Sequence, residues 1–331
     1  MSSNSGGQGF QWYGGRGSGA GRARTKSSAP AKVAPRALEL VLVDTLIKAK
    51  SASAALMTER VLALDCEGTA LSRTGRLCLV QIASRKKAYL FDVVAIGDEL
   101  FTAGGIGPLL ESETIVKVVH DCRQDSDALY WQFNVKLSNV FDTQVAYTAW
   151  REQKGIEVTI PVGLKTLLRT FSVTTVEEEN LKASIKSQFQ DNPRLWEQRP
   201  LPAEAITYAK FDIEHLLNVH TQFNKYLQPE AKVKVNARTL EYLDEFRMDE
   251  QGPAKARARF AKMVEKVQAE REAKAKEIAA QKEEEEKDKE GKSNLEQGDG
   301  LEKRDERESN SNMFNEFKFE PVDIRDVFDD A

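Results

Sequence analysis

Asp65 and Glu67 flank Cys66 at the end of an apolar run, Val61-Leu62-Ala63-Leu64. Side chains alternate between faces along a strand, so both carboxylates point one way and Cys66 points into the core. Two carboxylates side by side repel each other. A hard divalent cation that takes oxygen ligands, Mg2+ or Mn2+, offsets that repulsion. About one Asp-x-Glu arises by chance in a chain of this composition, so the pair alone is not specific. A second signal is Val118-Val119-His120-Asp121-Cys122-Arg123-Gln124-Asp125, where a strand runs out and Asp125 opens a helix. An acid there also suits the helix dipole, so capping is the competing reading. Asp121 and Asp127 compete locally for any metal role, and Asp142 reads as a structural hydrogen bonder at the next strand-to-helix turn. Tyr208 and Asp212 form a third signal. Their i, i+4 spacing stacks them on one helical face, with His215 one turn on.

The elements that must position these groups follow from periodicity. Val61 to Leu64 is apolar on both faces and reads as a strand buried on both sides. Leu77 to Ala83 and Ala88 to Val93 read as two more strands, joined by Arg85-Lys86-Lys87 into an antiparallel meander. Ile115 to Val119 and a strand starting at Asn139 to Phe141 enclose a helical stretch, Gln124 to Phe133, which implies a parallel crossover. The sheet is therefore mixed. One long helix is predicted over Ala203 to Leu227, opened by Pro202, with the stripe Ile206, Ala209, Ile213, Leu216, His220, Phe223 and Leu227.

The chain has 331 residues and a net charge of −4, but that mean hides polarity. Residues 1–38 hold six basic residues and no acid; residues 241–331 hold 18 basic and 27 acidic ones. The Gly/Arg/Ser-rich head, 1–38, buries too little to order itself. Its Phe10, Trp12 and Tyr13 beside Arg16, Arg22 and Arg24 suit base stacking and phosphate contact without sequence readout. A plain flexible leader and an organelle transit peptide are the competing readings, and the glycine density argues against the latter. The body, 39–228, is long enough for a full core. A charged helical extension, 229–290, and a disordered acidic tail, 291–331, are expected to follow. The tail's apolar motif at 313–328 suits a groove on a protein partner or a return onto the body. No apolar run approaches the ~18 residues of a membrane span, and no secretory signal is seen. Three cysteines without Cys-x-x-Cys spacing argue against a disulfide framework and a structural zinc. The expectation is an intracellular protein of the nucleus or cytoplasm.

In combination, Asp65-x-Glu67, Asp125 and Tyr208-x-x-x-Asp212 resemble the DEDDy 3′–5′ exonuclease superfamily, in its ribonuclease D-like branch. The resemblance covers about residues 55–228, just over half the chain. Leu79-Val80-Gln81-Ile82, Phe141-Asp142-Thr143-Gln144 and Trp196-x-x-Arg199-Pro200-Leu201 agree with it. The segments Val118 to Arg123 and Asn139 to Gln144 are similar to the eukaryotic exonuclease 3′–5′ domain-containing proteins. Some of that subgroup have lost carboxylates and act as RNA-binding pseudoenzymes; this chain keeps all four acids and the tyrosine. Asp125 and Asp127 both stand as the second-motif acid, with the spacing to His120 and Asp142 favouring Asp125. The helical RNA-binding module that follows the nuclease in bacterial ribonuclease D is not recognisable here.

The resemblance implies an α/β, ribonuclease H-like 3′–5′ exonuclease fold, a mixed central sheet flanked by helices. It implies two divalent ions, Mg2+ or Mn2+, bridged by Asp65, with Glu67 and Asp212 on the nucleophile's ion and Asp125 on the leaving-group side. Tyr208 would orient the attacking water. The implied substrate is the 3′ end of single-stranded RNA, cleaved to nucleoside 5′-monophosphates. A weak or inactive RNA-binding adaptor of the same fold and a DNA 3′–5′ exonuclease are the alternatives.

Overall fold

A computed structural model describes residues 38–192 and 194–296; the head with Arg16, Arg22 and Arg24 and the motif at 313–328 lie outside them. Among the described residues six strands pair into one sheet: β1 (Glu39–Val43), β2 (Val61–Thr69), β3 (Arg76–Ala83), β4 (Lys87–Asp92), β5 (Val116–Val119) and β6 (Val140–Asp142). Their order across the sheet is β1-β4-β3-β2-β5-β6. The helices are α1 (Leu46–Leu56), α2 (Val93–Ile96), α3 (Ile106–Glu111), α4 (Arg123–Phe133), α5 (Thr143–Glu152) and α6 (Leu164–Thr170). They continue with α7 (Val176–Asp191), α8 (Ala203–Glu214), α9 (Leu216–Tyr226), α10 (Pro229–Met248) and α11 (Gly252–Glu296).

The fold is the mixed α/β sheet flanked by helices that the sequence predicts. β2, β3 and β4 form the antiparallel meander, and β5 and β6 pair in parallel across α4. β2 lies inside the sheet, between β3 and β5. Leu62, Leu64, Cys66, Val80 and Ile82 pack on one face with the residues of α1, α3 and α4. Ala63, Leu79, Ala83 and Leu90 lie on the other, with buried residues of α5, α8 and α9. The β2–β3 register shifts between Glu67 and Gly68. A Cβ on Gly68 would stand 2.0 Å from the Arg76 carbonyl oxygen, so this bulge requires glycine.

Three features differ from the sequence reading. β1 and α1 precede β2 and were not anticipated. β1 is a short edge strand, and α1 buries mostly small residues (Ala49, Ala52, Ser53 and Leu56), while Ile47 is exposed. Neither makes a strong periodic signal. The single long helix over Ala203 to Leu227 is two helices, α8 and α9, meeting at His215. α8 buries Tyr208 and Ala209 against Leu79 and Leu90, whereas α9 buries Val219 and Phe223 in a separate cluster with Phe141 and Phe171. Two burial surfaces with different directions break a continuous stripe. Lastly, α10 lies beyond the body's expected end at residue 228, yet it packs on α4, α5 and β6. Ala231, Val235, Leu243 and Phe246 are buried there.

α11 is a long helix, and apart from Ala256 and Phe260 near its start its described side chains are mostly solvated. No helix among the described residues is long and apolar enough to cross a membrane.

If α10 is part of the core, Leu243→Ala should cost about 2–5 kcal/mol in urea unfolding, the range for a buried leucine. Leu240→Ala, on the exposed side of the same helix, should stay within about 0.5 kcal/mol of wild type. Equal, small effects would make α10 an appendage.

Candidate metal centre

The site begins with β2. Cys66 is buried on the α1/α3/α4 face, so strand alternation turns Asp65 and Glu67 to the opposite face, beneath α8. α8 contributes Asp212, which is 6% exposed, and Tyr208 one turn earlier. Carboxylate oxygens of Asp65, Glu67 and Asp212 all lie within 4.8 Å of one another. Residues about 145 positions apart in sequence thus meet at one point, and the donor set is hard oxygen alone.

The second segment contains four acids, and their surroundings separate them. Asp127 is fully buried and committed to Arg73, accepting from its backbone N–H at 2.6 Å and its Nε at 2.9 Å. Asp121 accepts two guanidinium hydrogen bonds from Arg123, both at 2.6 Å. Asp142 caps α5 and also accepts from the Asp121 and Cys122 backbone N–H groups, which is the structural role the sequence suggests. Asp125, in the first turn of α4 and 5% exposed, accepts no hydrogen bond among the described residues. Burial drives its pKa well above the usual carboxylate value, and the charges of Asp121, Asp142 and Asp212 push it further. Asp125 stands outside the 4.8 Å group but close enough to sense Asp212.

Tyr208 is buried, with its ring edge-on to Trp196 at 6.1 Å. The Trp196-x-x-Arg199-Pro200-Leu201 motif thus packs in the same cluster as Tyr208. Arg199 forks onto Asp92 with two bonds of 2.6 Å and donates to the Trp196 carbonyl at 2.8 Å, tying that segment to the end of β4. His120 bridges Thr143 Oγ1 at 2.9 Å and the Val162 carbonyl oxygen at 3.1 Å, and so braces the turn.

Two placements were not legible in the sequence. Lys182 of α7 forms an ion pair with Asp212, and its ammonium stands 4.8 Å from the Tyr208 ring centroid. No spacing rule links residue 182 to residue 212; only the packing of α7 on α8 does. His215, expected one turn beyond Asp212 on the same face, sits instead at the α8–α9 break. It lines a separate cavity of about 80 Å³ with Lys182, Lys186, Glu178 and Phe211. Burial lowers its pKa, and its Nε2 has no partner among the described residues.

Comparison with known proteins gives a consistent picture. A family model described as 3′–5′ exonuclease matches residues 40–228. The piRNA biogenesis protein EXD1 of Mus musculus is 35% identical over 162 residues, which are 48% of this chain and 28% of that protein. Ribonuclease D of Gluconacetobacter diazotrophicus is 29% identical over 159 residues, 47% of this chain and 35% of that protein. These matches span less than two thirds of either relative. Among solved structures, Trypanosoma brucei RNase D is similar both as its GMP complex and as its complex with RNA U12. Each gives a TM-score of 0.54 and covers 63% of this chain; identity is 29% and 28%, over 64% and 71% of the respective solved chains.

The field on Asp125 has a pH signature. Its pKa is raised in the fold, so its ionisation penalises folding above the ordinary carboxylate pKa, about 3.9, and not below it. In EDTA, Asp125→Asn should therefore melt above wild type at pH 7–8, with the gap shrinking as the pH falls toward 4. A gap that is constant with pH would contradict the strained-charge assignment.

Proposed function

Because this chain belongs to the 3′–5′ exonuclease family, in its ribonuclease D-like branch, we propose that it trims single-stranded RNA from the 3′ end and releases nucleoside 5′-monophosphates. The observation that carries this reading is the meeting of Asp65, Glu67 and Asp212 within 4.8 Å. The matches to Ribonuclease D and to an RNase D solved with RNA favour RNA over DNA as the substrate.

The residues present fit divalent cations. Three carboxylates crowded together repel one another unless cations balance them, and an all-oxygen donor set suits Mg2+ or Mn2+. Asp65, Glu67 and Asp212 would hold such ions, with Asp125 adding its carboxylate from α4. Bound there, two ions supply an activated water and stabilise the charge on the leaving 3′ oxygen.

The chain's own groups do the rest. Tyr208, fixed by Trp196 and by its place one turn before Asp212, orients the attacking water through its hydroxyl. Burial and the neighbouring acids disfavour the charged form of Asp125, and cations held by the cluster would offset that penalty. Lys182 supplies positive charge beside Asp212, and the guanidinium groups of Arg73 and Arg123 pair with Asp127 and Asp121. The basic head, 1–38, adds salt-sensitive affinity for the polyanion.

The test is degradation of matched 5′-labelled RNA and DNA oligonucleotides with Mg2+ or Mn2+. RNA should shorten in single-nucleotide steps, faster than DNA. EDTA, Asp65→Asn and Asp212→Ala should each remove that activity to the detection limit. Binding without shortening, at wild-type acids, would favour the adaptor, and faster loss of DNA would favour a DNA exonuclease. Tyr208→Phe should lower kcat by roughly 100-fold while leaving KM within a few-fold, since positioning is lost and binding is kept. An unchanged kcat removes Tyr208 from the chemistry.

A further inference from the structure

Gln81 lies in the interior of β3 and is fully buried, and neither its Oε1 nor its Nε2 has a hydrogen-bond partner among the described residues. Its position is defined by the sheet. It stands directly opposite Asp65 on β2 and Leu90 on β4. Directly opposed residues share a face, with Cβ atoms ~4.5–5.5 Å apart. A carboxamide on a two-carbon stem reaches a neighbouring carboxylate across that gap. The other β3 residues on this face are apolar: Leu79 opposes Glu67 and Ala83 opposes Ala63. Above them α8 lays Ala205, Tyr208 and Ala209 in the same cluster as Leu79 and Leu90.

An unpaired amide in such surroundings costs folding free energy, and a leucine or methionine would fill the same space without that cost. Packing therefore does not account for a glutamine here. Its neighbour does, because Asp65 is one of the three carboxylates that meet within 4.8 Å.

We propose that Gln81 is a positioning residue for Asp65. Its Nε2–H donates to the Asp65 carboxylate once that group turns to hold a cation, fixing which oxygen faces the ion. This inference rests on the reading of the acidic cluster as a divalent-cation site. It predicts that stability and cation affinity move in opposite directions, which a purely structural glutamine would not produce.

The experiment uses the full chain, wild type, Gln81→Leu and Gln81→Met, with thermal melting in EDTA and Mn2+ binding followed by the paramagnetic resonance signal of free Mn2+. Both variants should melt at or above the wild-type temperature, yet bind Mn2+ roughly 10- to 100-fold more weakly, the usual range for loss of a group that orients a metal ligand. The methionine variant preserves the test if the leucine one does not fold. Wild-type Mn2+ affinity in either folded variant overturns the inference and leaves the site reading intact. Failure of the wild type itself to bind Mn2+ overturns both.

Discussion

Repulsion among acids is the constraint around which this structure is built. Asp65, Glu67 and Asp212 approach within 4.8 Å, and Asp125 feels Asp212 from a buried position. At such separations like charges in a partly desolvated site oppose each other strongly. The surrounding fold relieves part of the load selectively. Arg73 neutralises Asp127, Arg123 neutralises Asp121, and backbone N–H groups occupy Asp142. Those three acids thereby become scaffold. Asp65, Glu67 and Asp212 are the acids that meet at one point, with Asp125 close enough to sense Asp212, and Lys182 is the ammonium that α7 brings to Asp212.

The scaffold that enforces this crowding is stiff where it must be. β2 is paired on both sides through Val61–Ala63, and beyond that point Asp65 and Glu67 stay in register with Gln81 and Leu79 of β3, so the sheet fixes their spacing. The bulge at Gly68 shifts the register immediately after Glu67, and pairing resumes with Leu77 and Arg76. α10 secures the opposite wall. Arg73 donates to carbonyl groups of Phe246 and Asp249 at its end, Arg123 lies 4.6 Å from the Tyr242 ring centroid, and Ser126 donates to the Leu243 carbonyl at 3.2 Å. The helix that begins beyond the matched family region thus anchors both arginines that neutralise the surplus acids. That is a physical reason for α10 to belong to the packed unit.

Most of the site was legible in the sequence because its signals are local. Asp-x-Glu on a strand and Tyr-x-x-x-Asp on a helix announce a shared face by spacing alone. The sheet was legible for a similar reason: β2 to β6 are strongly apolar runs with clear breaks. The misses share a different cause. Lys182 acquires its role only from the packing of α7 on α8, and no period of one helix reveals that. The break at His215 lies inside a stripe that steps by three and four without interruption, and Ile213 of α8 shares the cluster that α9 fills, so the stripe alone does not expose it. α10 hides its buried face, Ala231, Val235, Thr239 and Leu243, among the exposed apolar residues Val233 and Leu240. Spacing to His120 and Asp142 favours Asp125 over Asp127, and the Arg73 pairing gives Asp127 a structural role that no motif encodes.

The same electrostatics bear on how a nucleic acid would approach. A phosphate entering the cluster meets carboxylates held together by the sheet and α8, and the repulsion is relieved only as positive charge accumulates there. On the proposed reading, cation and nucleic acid therefore bind with positive coupling, and linkage makes that coupling reciprocal: whatever the ions add to the affinity for the strand, the strand adds to the affinity for the ions. Lys182 has a double position in this balance. Paired with Asp212, it competes with any cation for that carboxylate, and its side chain also lines the cavity shared with Lys165 and Lys186, so the cost of freeing Asp212 for a cation is set in part by how α7 packs on α8.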